Sequence, residues 1–283
     1  MDNQHLHHRL LSATSTPTSS TTTTPGIILR LLIIVFVGFV SIWANNEASR
    51  GFEIRVINDM RNTPVGDKFS LFYVYNDEAT RLVQSATTSA AKVLYAETNS
   101  LPEKIIDQVD VRLVRYNLTR DYVLVTKTSD EKNRYVLSVS PVIMEYDDFK
   151  NRFRKEIRRG MAEVLLFDKR ERIPKTLING LVEYLSSQEG LDGPNTVSRS
   201  KNSDGRCWED KDSKVVARFL GICEGKSRGF VERLYRYVDR DDWDDHAVDK
   251  ALGMSATSLC QSFHNPIIKD DDPAAVESIS TYR

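Results

Sequence analysis

Residues 162–185 read AEVLLFDKRERIPKTLINGLVEYL, two apolar, helix-like runs joined by a charged turn. Many zinc hydrolases carry their ligands on helices paired in this way. Side chains four residues apart on one helix point at a common ion, and the next helix supplies a further donor. The stretch offers carboxylates at Glu163 and Glu183 but no imidazole, because the histidines of the chain are His5, His7, His8, His246 and His264. A serine or cysteine nucleophile in this region therefore lacks the base that a triad requires. Two carboxylates could contribute oxygen ligands to calcium or magnesium, but they are too few to complete a shell.

Two other charged segments stand out. FKNRFRKEIRR gathers Arg152, Arg154, Lys155, Arg158 and Arg159 beside an apolar stripe, which reads as the solvent face of a helix, with a site for phosphate or an anionic polymer as the alternative. DDWDDHAVDK surrounds His246 with Asp241, Asp242, Asp244 and Asp245, but it lacks the glycine and terminal glutamate of an EF-hand loop and reads as a solvated acidic turn. The net charge of -1 and the pI near 6.5 give no global attraction to nucleic acid, and no nucleic-acid partner is expected.

The elements that would position the central stretch follow from periodicity. FEIRVI alternates Phe52, Ile54 and Val56 with polar residues, as a half-buried strand does. NTPVG supplies turn chemistry, and Leu82, Val83, Ala86, Ala90, Val93 and Leu94 then recur at helical spacing behind a cap at Asn76 or Asp77. VDVRLV, YVLVT and YVLSVSPVI are three further strands, with Pro141 marking an edge or a strand end. Four helical stripes follow: Phe153, Ile157, Met161, Val164 and Leu165; Leu177, Leu181, Tyr184 and Leu185; Val216, Phe219, Leu220 and Cys223; Phe230, Leu234, Tyr235 and Val238. Strands early, helices late and no βαβ alternation predict an α+β domain over residues 51–264, with a small mixed sheet at its N-terminal end and a mainly helical C-terminal half. A polar, glycine-rich loop separates the second and third stripes.

The N-terminus is different. Residues 1–25 are rich in serine and threonine and have little to bury, so a disordered tail is expected there. Residues 26–44, GIILRLLIIVFVGFVSIWA, carry one charge, Arg30, and as a helix would reach roughly 28 Å, close to the thickness of a bilayer core. They are expected to form a single-pass transmembrane signal anchor, with a cleaved signal peptide and a soluble secreted protein as the alternative. Arg9 and Arg30 precede the span, which favours a cytosolic N-terminus and a lumenal or extracellular main domain. The sequon at Asn117 fits glycosylation in that location. Residues 265–283 are expected to be an acidic, flexible tail. Of three cysteines, Cys223 lies on an apolar face and reads as a buried thiol; Cys207 and Cys260 are the candidate disulfide, whose pairing the sequence leaves open.

The ordered blocks FEIRVINDMRNTPVG, YVLSVSPVI, TLINGLVEYL, DGRCWED, VVARFLGIC, GFVERLYRYV and ALGMSATSLCQSF resemble the plant basic secretory proteins across essentially the whole domain. That resemblance implies a zincin-like fold and, in typical members, a His-Glu-x-x-His helix followed by acidic residues on the next helix. Matching KEIRRGMAEVLLFD to that helix places Glu163 and Phe167 at the two histidines and Val164 at the glutamate; Asn179 and Glu183 stand for the acidic residues of the following helix. Phe167 and Val164 are expected to fill the space a metal would take. The resemblance thus implies a degenerate, non-catalytic member with no catalytic residue, cofactor or metal. It also implies an ectodomain that binds a protein or polysaccharide, in a family associated with defence and stress responses. A hydrolase with a rebuilt active site is the alternative.

Overall fold

The structure, a computed structural model, describes residues 24–48, 51–96, 106–118, 122–129, 133–187, 206–240, 243–244 and 246–264. Residues 1–23, most of the polar loop at 190–206 and the tail from Asn265 lie outside the described residues. The chain divides into two units, residues 1–50 and 51–283.

Among the described residues of the first unit, one helix, α1, spans Thr24–Ala48. Its apolar side chains from Leu29 to Val40 are all exposed, at 44–70%. Side chains of α1 are described from Leu29 to Ser41, and among the described residues no helix is long and apolar enough to cross a membrane.

The second unit is mixed α+β and mostly helical. Four strands, β1 (Glu53–Asn58), β2 (Gln108–Leu113), β3 (Val123–Lys127) and β4 (Arg134–Val139), form one sheet in the order β1-β2-β4-β3. β1, β2 and β4 run parallel, and β3 is antiparallel to β4. β4 stops at Val139, and Pro141 opens a 3-10 turn over Pro141–Glu145, so the proline ends a central strand.

The parallel pairing corrects one expectation. The chain passes from β1 to β2 through α3 (Glu78–Leu94), a βαβ crossover: periodicity marked the two strands and the helix between them but not the parallel pairing that joins them. Between β1 and α3 the turn residues also build a short helix, α2 (Pro64–Phe69), capped by the Thr63 hydroxyl accepting from the Gly66 N–H at 3.0 Å. α2 runs directly into a π-helical turn, Ser70–Val74. A wider turn breaks the 3.6-residue spacing, which hides the segment from pattern reading.

The four helical stripes fold as expected into α4 (Phe149–Leu165), α5 (Lys175–Ser186), α6 (Ser213–Lys226) and α7 (Phe230–Arg240), followed by α8 (Ala247–Leu252) and α9 (Ala256–His264). α4 lies on the sheet, with Phe153, Ile157 and Met161 fully buried. Phe153 stacks on Tyr73 at 3.9 Å between ring centroids and meets Phe69 edge-on at 6.0 Å, which ties α4 to the π turn.

α5 and α6 pack unusually close. A Cβ on Gly180 would stand 2.1 Å from Val216 Cγ1, so only glycine permits this approach. Gly180→Ala should destabilise the fold by about 1–3 kcal/mol through overpacking. A companion Val216→Ala change should recover part of the loss, as read from urea unfolding of the single and double variants.

Cys207 and Cys260 are joined by a disulfide that ties α9 to the 3-10 turn Cys207–Glu209, just before α6. Cys223 is buried, and burial pushes its thiol up to about 12.

Candidate functional site

The central stretch builds a cleft of about 510 Å³ between α4 and α5, closed at one end by the segment that starts α6. Arg159 and Glu163 line it from α4, and Ile178, Asn179, Val182 and Glu183 line it from α5. Arg170 enters from the connection between those two helices, Lys175 from the first residue of α5, and Lys211 and Ser213 from the start of α6.

Of the residues placed at ligand positions by resemblance, Glu163, Asn179 and Glu183 share this cleft, whereas Val164 and Phe167 do not line it. Val164 lies about 100° around α4 from Glu163 and is buried in the core at 1% exposure. Phe167 would share Glu163's face if α4 continued, but α4 ends at Leu165 and Phe167 belongs to the 3-10 turn Phe167–Lys169. The change of winding carries its ring onto Tyr135 of β4, edge-on at 5.5 Å. The expectation that Phe167 and Val164 fill the place of a metal is therefore corrected: the cleft remains open and lined largely by polar and charged groups.

The pair one turn apart on α4 that faces α5 is Arg159 and Glu163. Sequence reasoning named Arg159 only as one of a basic run on a solvent face and did not pair it with Glu163. The four-residue spacing to Glu163 and the Asn179 to Glu183 spacing on α5 were the available signal.

Glu163 is engaged on both oxygens. Its Oε2 accepts a hydrogen bond from Arg170 Nη2 at 2.9 Å, and its Oε1 lies 3.5 Å from Arg159 Nε. The Arg170 guanidinium in turn stacks on the Phe167 ring at 4.6 Å. Phe167 is thus a shelf for the cation that holds Glu163. Close by, Lys169 is buried with its ammonium 5.4 Å from the Tyr235 ring centroid, and burial lowers its pKa.

This donor set does not fit zinc. A guanidinium has five N–H donors, no acceptor and a permanent charge, so Arg159 cannot ligate a cation. The position after Arg159, where the family motif carries glutamate if Arg159 and Glu163 replace the histidines, is Gly160. It is buried, and a Cβ there would approach Leu137 Cδ2 to 3.0 Å and Val123 Cγ1 to 3.3 Å, which leaves a carboxylate little room. Among the described residues, no group of three His, Cys, Asp or Glu side chains could hold a metal ion.

A sequence model of one family, BSP, described as a peptidase of plants and bacteria, matches residues 49–263. The chain belongs to the BSP family. No curated protein and no solved structure matches the chain. The BSP match begins two residues before the second unit and ends within α9, so both lips of the α4–α5 cleft and the disulfide fall inside it.

The remaining sequence candidates lie apart from the cleft lining. His246 is exposed beside Asp249, with 3.7 Å between Nδ1 and Oδ2. Asp244 is held by hydrogen bonds from Lys250 Nζ at 2.7 Å and Tyr237 at 2.8 Å, which lower its pKa. Asn117 is exposed, and the Thr119 of its sequon lies outside the described residues.

Proposed function

We propose that this BSP-family chain is a non-catalytic member whose zincin-like domain binds a ligand through the α4–α5 cleft instead of hydrolysing peptides. One observation carries the reading. The helix-borne pair that would ligate zinc is an Arg159–Glu163 ion pair followed by the side-chain-free Gly160. Metal-assisted hydrolysis needs a cation held by neutral or anionic donors and a base to take a proton from the bound water. A fixed guanidinium in the first ligand position opposes the cation, and nothing at residue 160 can take the proton.

Elemental analysis of the purified full chain tests this, together with a peptidase assay on a denatured protein substrate. The expected result is no zinc retained through dialysis and no cleavage above that of an Arg159→Ala variant. One zinc per chain, lost in Glu163→Ala, would restore the alternative of a hydrolase with a rebuilt site.

The reading extends to location. The span 26–44 is proposed as a single-pass anchor because its described apolar side chains, from Leu29 to Val40, are exposed all around the helix. The BSP domain would then face the lumen or the exterior. Extraction of membranes at alkaline pH should leave the chain in the pellet, and Asn117→Gln should remove a glycan-dependent mass shift. Release into the supernatant with a mature N-terminus near Asn45 would instead establish a secreted, cleaved form. A protein or polysaccharide partner and a part in defence or stress responses belong to the same proposal and rest on the family resemblance.

A further inference from the structure

We infer that the α4–α5 cleft is a binding site for a dianionic oxyanion, a phosphate or sulfate group carried by a small molecule; this rests on the non-catalytic reading of the same cleft. Its lining holds four cations, Arg159, Arg170, Lys175 and Lys211, against two carboxylates, Glu163 and Glu183, which leaves a formal charge of +2 in a concave site. Glu163 is already flanked by two guanidinium groups, so it fixes them in place while neutralising only one positive charge. Neither Lys175 nor Lys211 pairs with a carboxylate among the described residues, and their ammonium groups are available at the rim.

The backbone adds to this bias. Lys175 is the first residue of α5, a helix with no side-chain hydrogen bond at its N-cap, Pro174, and Ser213 is the first residue of α6. The positive ends of two helix dipoles therefore meet the same cleft, although the Asp212 carboxylate already caps the second by accepting from the Lys214 N–H. Asn179 and Ser213 provide neutral donors, and Ile178 and Val182 provide a small apolar wall for the body of a ligand. A tetrahedral dianion has enough acceptor oxygens for two guanidinium groups and two ammonium groups at once, and its charge matches the +2 of the lining. A monocarboxylate would leave half of that charge uncompensated.

Isothermal titration of the full 283-residue chain in a neutral detergent, at low salt, tests the assignment with sodium phosphate, sodium sulfate, phenyl phosphate and sodium acetate as probes. Saturable binding of phosphate and sulfate is expected, with phenyl phosphate bound at least as well and acetate roughly tenfold more weakly. Affinity should fall as sodium chloride rises. The Lys175→Ala/Lys211→Ala double variant changes only exposed side chains. It should keep the wild-type melting temperature and lose roughly tenfold or more in phosphate affinity. No saturable phosphate binding, equal binding of acetate, or unchanged affinity in the double variant would each overturn the assignment. Zinc analysis on the same preparation separates the two readings: stoichiometric zinc defeats the non-catalytic reading, whereas a chain holding neither zinc nor phosphate defeats only the oxyanion site.

Discussion

Replacing Phe153 with alanine is expected to cost the second unit about 3–5 kcal/mol, the largest single-residue loss argued from this fold. The ring is fully buried, stacked on Tyr73 at 3.9 Å and edge-on to Phe69, and it lies on the α4 face that presses on the sheet. Alanine removes the transfer free energy of the ring and leaves a cavity bounded by other aromatic side chains, which are too stiff to close it. Phe153→Leu keeps most of the volume and should cost about 1–2 kcal/mol less than the alanine change. Urea unfolding followed by circular dichroism should show a lower midpoint with an unchanged slope. A midpoint shift below that of an exposed control such as Arg154→Ala would show that α4 is not held by this cluster. The loss should also reach the cleft, because α4 carries both Arg159 and Glu163.

The second large effect concerns the disulfide. Cys207 and Cys260 are 53 residues apart in sequence, and closing a loop of that length in the unfolded chain is worth about 4 kcal/mol on the chain-entropy estimate. A Cys207→Ala/Cys260→Ala variant should therefore melt about 10 °C lower, and reductant should shift the wild type in the same direction while leaving the variant unmoved. The turn that Cys207 opens also carries Trp208, whose indole packs on Phe219 of α6 at 5.9 Å. Loss of the bond should loosen the lip that bears Lys211 and Ser213, so phosphate affinity should fall together with stability. Thiol counting provides a check on the pairing. With Cys223 buried and its thiol pushed up to about 12, a thiol reagent at pH 8 should label nothing in the folded protein and one cysteine in denaturant. Labelling of three cysteines without reductant would contradict the disulfide.

Much of the fold was legible in the sequence because burial imposes a period. The stripes of α4 to α7 and the alternation of the strands follow directly from which residues must leave water. The helical stretch from Pro64 to Val74 was not legible, since a short capped helix running into a π turn keeps no single period over enough residues. The parallel pairing of β1 with β2 was hidden for a different reason. A strand's alternation records which faces it buries, not the direction of its neighbour.

At the site, the sequence by itself determined what is missing. Its histidines lie at residues 5, 7, 8, 246 and 264, and no folding of residues 149–186 can create an imidazole there. It also determined that Glu163, Asn179 and Glu183 would lie on two consecutive helices. Tertiary structure alone decided which side chains share the cleft with them. An apolar stripe fixes the buried face of a helix, but the polar residues at its margins meet or miss the next helix according to how the two axes pack. The packing of α4 on α5 turned Arg159 into the cleft, and the close approach of α6 to α5 at Gly180 and Val216 brought Lys211 to its rim beside Arg170 and Lys175. The end of α4 at Leu165 turned Phe167 away to support Arg170. A place that the spacing marked for a metal became one that gathers positive charge, because electrostatic character depends on neighbours in space that no spacing along the chain records.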